Sequence, residues 1–135
     1  MVVEILTGLI KLILSVAVGT IIGSERHKHG KPVGRRTMSL VAIGATLATI
    51  SAIKYFESDT ARVVAGILTG IGFLGAGAII GEGKQVIGLT TAASIWAVSI
   101  IGVAIGLGEY IMALIALILV YLVLVLHIDK EVIKS

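Results

Sequence analysis

The chain has no cysteine among its 135 residues. No disulfide, thiolate metal site or thiol nucleophile can therefore form. It has a single proline, Pro32, and no Pro/Ser-rich linker, low-complexity tract or internal repeat that would mark a domain boundary. Charge is scarce, with 14% Asp, Glu, Lys and Arg, and only 4% of residues are aromatic. No Asp, Glu or His lies in the middle of any long apolar run. Intramembrane hydrolysis needs a nucleophile with its base, or two carboxylates, at one depth, so no enzymatic activity is expected. The same absence argues against a dedicated intramembrane magnesium site, because Mg²⁺ keeps several waters and is held through carboxylates or phosphate. No metal, cofactor or nucleic acid is expected. The start, Met1-Val2-Val3-Glu4, lacks a basic stretch ahead of its apolar run, so no cleaved leader is expected.

What remains is apolar. The chain is 57% hydrophobic and its mean hydropathy is +1.10. A soluble domain of this length could not hide that surface, so lipid must be most of its solvent. Apolar runs at 2–23, 37–53, 60–81, 89–106 and 110–126 predict an all-α polytopic membrane bundle of about five helices. Residues 1–135 then form one membrane domain. A four-span arrangement, with residues 1–23 lying along the interface, is the alternative. Under the five-span reading Arg26, Lys28, Lys31, Arg35, Arg36, Lys84, Lys130 and Lys134 fall on one side, and only Lys54 and Arg62 on the other. The positive-inside rule then puts the N-terminus outside and the C-terminus inside.

The stretch from Ala65 to Gly81 carries no charge and is rich in glycine. At about 100° per residue, Gly66, Gly70, Gly77 and Gly81 share one stripe, and Ala65, Thr69, Gly72, Ala76 and Gly83 share a second. Two small-residue stripes predict a central helix embraced on two sides, with Gly75 adding to the packing. Gly70-x-Gly72-x-x-Gly75 spells a dinucleotide-loop pattern, but no strand precedes it and it sits inside an apolar span. Gly102 and Gly106 form another small-xxx-small pair. Trp96, inside the fourth span, reads as a packing residue. The fifth span has no polar stripe and reads as lipid-facing.

Several polar residues stand out against this background. Lys11 sits near the middle of the first span, where it would either line a cavity or snorkel toward the N-terminal end. Glu25, at the end of that span, is expected to pair with an inner arginine, Arg26 or Arg36, and so to join the first two spans. Residues 23–37 hold five of the eleven Lys/Arg, suiting topogenesis or the binding of anionic headgroups or phosphate. His27 and His29 lack the third ligand that a metal site needs. Ser58 or Asp59 is the expected cap of the third span, with Arg62 one turn on. Thr90 or Thr91 is the expected cap of the fourth, after a connector at Val86–Leu89 too short to span.

Four stretches resemble the MgtC/SapB family of bacterial membrane proteins: Gly19-Thr-Ile-Ile-Gly23-Ser-Glu25-Arg26, Gly34-Arg35-Arg36-Thr37, Ser58-Asp59-Thr60-Ala61-Arg62 running into Gly70-Ile-Gly-Phe-Leu-Gly-Ala-Gly77, and Gly88-Leu-Thr-Thr-Ala-Ala-Ser-Ile-Trp96. Lys11 is similar to a basic residue often found in the family's first helix. The resemblance implies a bacterial inner-membrane protein of about five helices without established enzymatic activity. It also implies a link to growth in low magnesium, to intracellular survival in some pathogens, and in one branch to restraint of the F-type ATP synthase. Larger members add a cytoplasmic domain after the last helix, and this chain reads as a short member without it.

The function expected is that of a non-enzymatic modulator acting on a membrane partner, on lipid or on ion homeostasis during adaptation to low magnesium. A small ion or solute transporter or channel is the alternative. Its partners would be membrane lipid, a second copy (a dimer is favoured) or another membrane protein. Lys11, Glu25, Arg26, Arg36, Thr37, Asp59, Arg62, Thr90 and Thr91 are the candidate functional residues.

Overall fold

The computed structural model describes residues 1–82 and 85–126. Gly83, Lys84 and the mixed-charge tail at 127–135, with its expected inner lysines, lie outside the described residues. Five helices carry the fold: α1 (Val2–Lys28), α2 (Arg35–Tyr55), α3 (Thr60–Gly77), α4 (Leu89–Leu107) and α5 (Tyr110–Leu126). A short 3₁₀ turn, Glu57–Asp59, leads into α3. The first four helical stretches are long and apolar enough to cross a membrane, and α5 is a shorter apolar helix. By rise alone the 27 residues of α1 reach about 40 Å, longer than the roughly 30 Å hydrocarbon layer.

The helix at the centre is α4, and this corrects the expectation drawn from the glycines. It packs against α1, α2, α3 and α5, and Thr91, Ser94, Ile95, Val98, Ser99, Ile101, Gly102, Val103, Ile105 and Gly106 are buried along it. By contrast, α3 has Gly75 as its buried residue. A Cβ added at Gly66, Gly70, Gly72, Gly77 or Gly81 would meet nothing within 4 Å, so these glycines do not pack inside the chain. Small residues permit close approach but supply little contact area. In α4 they alternate with Ile95, Val98, Ile101 and Ile105, which do supply it.

Where glycine does its packing is at the α1–α2 and α2–α4 crossings. A Cβ at Gly19 would fall on the backbone of Ser39, and one at Gly23 on that of Arg35. At Gly106 it would stand 2.6 Å from the Thr49 Cβ, and at Gly102 2.7 Å from the Ala42 carbonyl oxygen. Thr46 adds a hydrogen bond, its hydroxyl donating to the Gly102 carbonyl at 2.9 Å. The core follows these crossings: Val18 and Ile22 from α1, Met38, Val41 and Ala42 from α2, and the α4 isoleucines.

The segment after α3 is a small antiparallel hairpin, β1 (Ile80–Glu82) with β2 (Gln85–Ile87), so the third helix ends at Gly77 and not at Gly81 as expected, and the connector at Val86–Leu89 is partly strand. Gly88 then begins α4 with φ +95°, a conformation open to glycine, and a Cβ there would strike the Ala78 carbonyl oxygen. Gly88, not Thr90 or Thr91, is therefore the N-cap of α4. Asp59 is the N-cap residue of α3, but its side chain makes no capping hydrogen bond. Trp96 is 47% exposed and faces outward, against the expectation of a packing role. The lipid-facing reading of α5 holds, with Ala113 and Leu124 as its buried residues.

Candidate functional site

Buried charge gathers at one end of the bundle, where α1 ends and α2 and α4 begin. The glycine contacts at Gly19 and Gly23 draw α2 against the last turns of α1. The two residues that follow, Glu25 and Arg26, are each only 3% exposed. The Arg26 guanidinium stands 3.5 Å from the Glu25 carboxylate, and the His29 ring nitrogen Nδ1 stands 3.1 Å from it on the other side. That ring nitrogen also lies 2.8 Å from the main-chain carbonyl of Glu25. Arg26 crosses to α4, donating from Nη2 to the Thr91 hydroxyl at 3.4 Å. Among the described residues both Glu25 carboxylate oxygens and the Arg26 Nε have charge neighbours but no aligned hydrogen bond. Taking two charges out of water costs several kcal/mol each, which their mutual attraction must offset. The basic residues in the last turn of α1 also suit the negative end of its dipole.

The opposite end is held differently. Lys11 donates from Nζ to the Gly106 carbonyl at 2.7 Å. This is one of the last four carbonyls of α4, which no intrahelical N–H can satisfy. Lys11 therefore spends one of its donors on the end of α4, a contact that the sequence did not suggest. Glu4 of α1 meets Lys54 of α2 at 3.2 Å, and Asp59 meets Arg62 at 3.4 Å, both pairs exposed.

Two apolar clefts flank the core. One, of about 260 Å³, lies between α4 and α5 and takes in Thr90 and Ser94. The other, of about 500 Å³, lies between α2 and α3 and begins at Thr37. Among the described residues no three His, Asp or Glu side chains converge in a way that could hold a metal ion.

Comparison of the sequence with known proteins matches it to a family. The profile described as "MgtC family" covers residues 12–131. The chain belongs to the MgtC family. It is 41% identical over 112 residues to "Protein MgtC" of Salmonella typhimurium strain LT2, covering 83% of this chain and 48% of that protein. It is 36% identical over 125 residues to "Putative magnesium transporter YhiD" of Escherichia coli strain K12, covering 86% of this chain and 58% of that one. An uncharacterized protein of Haemophilus influenzae is 39% identical over 121 residues, covering 82% of this chain and 51% of that protein. The chain thus spans about half the length of these curated relatives. No solved structure matches.

In this MgtC-family chain the candidate residues divide into separate groups. Glu25, Arg26 and Thr91 come together, joined by His29. The Glu25–arginine pair is with Arg26, and it ties α1 to α4 through Thr91 instead of joining α1 to α2 through Arg36. Arg36 and Thr37 are exposed on α2, outside that cluster, as is Thr90 on α4. Asp59 and Arg62 pair with each other at the far end. Gly19 lies on the small, polar face of α1 that the sequence turns toward the protein, but the role of Gly23 at the α1–α2 crossing was not read, although its four-residue spacing from Gly19 is the small-xxx-small signal. The His29 contact was missed because its partner became clear only once Glu25 was seen to be buried.

Proposed function

We propose that this chain is a non-enzymatic, multi-pass protein of the bacterial inner membrane that docks on another membrane helix during adaptation to low magnesium. A second copy of the chain is the first candidate partner and a different membrane protein the second. In this reading the N-terminus is outside and the C-terminus inside, as the Lys/Arg distribution favours. The observation that carries the proposal is the outer flank of α3. Ala65, Thr69, Gly72 and Ala76 are all exposed on a helix long enough to span. In lipid, helices associate through close packing and not through hydrophobic drive, and a small-residue flank is what allows it.

Magnesium transport is the competing reading, suggested by the name of the Escherichia coli relative. Set against it, the Lys11 amine donates to the Gly106 carbonyl, a contact that serves the end of α4. The test has two arms. Cells whose own copy is deleted should regain growth in limiting magnesium with the parent chain and lose it with Gly72→Leu. Proteoliposomes of the parent chain should show no magnesium flux above protein-free vesicles. Magnesium flux, or growth unaffected by Gly72→Leu in a chain that still folds, overturns the proposal.

A further inference from the structure

The cleft between α2 and α3 has a chemical polarity along its length. Thr37, Leu40 and Gly44 line it from α2, and Leu74, Gly70 and Gly66 from α3, in antiparallel register. Its volume is about 500 Å³. Glycine opens this space: a Cβ at Gly44, Gly66 or Gly70 would meet nothing within 4 Å, unlike one at Gly102 or Gly106. From Thr37 to the level of Gly66 the walls run about 12 Å at 1.5 Å per residue, less than half of the roughly 30 Å hydrocarbon layer. A helix laid against the bundle would need a groove through both leaflets, whereas this one belongs to a single leaflet.

The open end of the cleft is basic. Arg36 lies one turn before Leu40 on the same face of α2 and is exposed. Lys28, Lys31 and Arg35 are exposed nearby in sequence. Among the described side chains at this end the carboxylate is Glu25, which is buried and already faces Arg26 and His29. An apolar trough one leaflet deep, headed by exposed cations, has the shape and charge of one class of molecule. The geometry points to a site for a single anionic phospholipid, its phosphate at Arg36 and Thr37 and an acyl chain along the α2–α3 cleft. The site uses the opposite flank of α3 from the docking face proposed above, so either can fail alone.

The 135-residue chain, purified in mild detergent, is offered equal amounts of phosphatidylglycerol and phosphatidylcholine with identical acyl chains, and bound lipid is counted by native mass spectrometry. The parent chain retains one lipid, with a preference for phosphatidylglycerol of about fivefold, the worth of one basic side chain near an anionic surface. Arg36→Gln removes the preference but not the lipid. Gly70→Leu fills the trough and removes both lipids, and Gly66→Leu stands in for it if Gly70→Leu loses helical circular dichroism. Equal retention of the two lipids by the parent chain overturns the assignment. So does unchanged retention in the trough-filling variant, or loss of self-association in that variant with lipid binding intact.

Discussion

Lys11 and Gly106 are joined across α1 and α4 by a 2.7 Å hydrogen bond from the lysine amine to the main-chain carbonyl. Fifteen residues further along α1, Arg26 reaches Thr91, which lies fifteen residues back along α4. The matched spacing makes the two helices antiparallel partners in register, with a cation of α1 at each end of the contact. About 22 Å of packed helix lies between the two bonds at 1.5 Å per residue. The lower bond caps a helix end and the upper one carries a buried ion pair, so the two respond differently to substitution.

Lys11→Met should weaken the α1–α4 contact by about 1–2 kcal/mol. The insertion cost of a mid-span lysine, about 3 kcal/mol, largely cancels, because α1 remains in the bilayer whether or not the bundle is assembled. What is lost is one hydrogen bond to an otherwise unsatisfied carbonyl, and such bonds within membranes are worth up to about 2 kcal/mol. Reversible unfolding in SDS measures the difference, and an unchanged midpoint would contradict it.

Glu25→Gln should cost more, about 3–5 kcal/mol, because it leaves the Arg26 guanidinium buried without its counter-charge. The double variant Glu25→Gln with Arg26→Met should recover a good part of that loss, since no buried ion then remains. A double-mutant cycle in SDS unfolding reads the coupling directly. Two additive single losses would show that the pair is not energetically linked.

The glycines divide into two classes that the same experiment separates. Gly106→Ala places a methyl 2.6 Å from the Thr49 Cβ and should destabilise by about 1–3 kcal/mol through overpacking. Gly72→Ala meets nothing within 4 Å and should change monomer stability by less than about 0.5 kcal/mol. Equal effects at the two sites would mean that α3 is packed more tightly than it stands here.

This division also marks how far the fold was legible in sequence. The five helices and most of their bounds followed from apolar runs, because a bilayer demands about 20 uncharged residues and leaves few alternatives. The pairing of Glu25 with an arginine followed from the cost of an isolated charge, whereas its burial and the tie to α4 did not. The order of helices around the centre did not follow. Glycine spacing is the same for a helix that is clasped and for one that faces outward, and the deciding difference is whether large neighbours such as Ile95, Val98 and Ile101 share the helix. The roles of Lys11 and Thr91 were hidden for a related reason. Both depend on the register of α1 against α4, and neither helix encodes that register alone.

The exposed pairs should matter little. Glu4 and Lys54 are 68% and 53% exposed in their side chains, and Arg62 is 83% exposed. Solvated pairs of this kind are worth about 0–1 kcal/mol and weaken with salt. Glu4→Gln and Asp59→Asn should each leave the unfolding midpoint nearly unchanged, and any small effect should vanish in high salt. If Asp59→Asn abolishes growth in limiting magnesium while leaving stability intact, Asp59 acts on something outside the chain and not through Arg62.

The absence of cysteine makes the proposed orientation directly testable. In intact cells a membrane-impermeant maleimide should label Ser58→Cys, which is exposed within the 3₁₀ turn, and should not label Lys31→Cys until the membrane is opened. Ser15→Cys carries a second expectation. Ser15 is fully buried, one turn from Lys11 on the face of α1 turned toward α4. If the Lys11 amine closes against Gly106 as a structural clamp, no water column passes it, and Ser15→Cys stays unlabelled from either side. Labelling there would require an aqueous route between α1 and α4. It would move the balance from a docking protein toward a channel, even with every helix where it stands here.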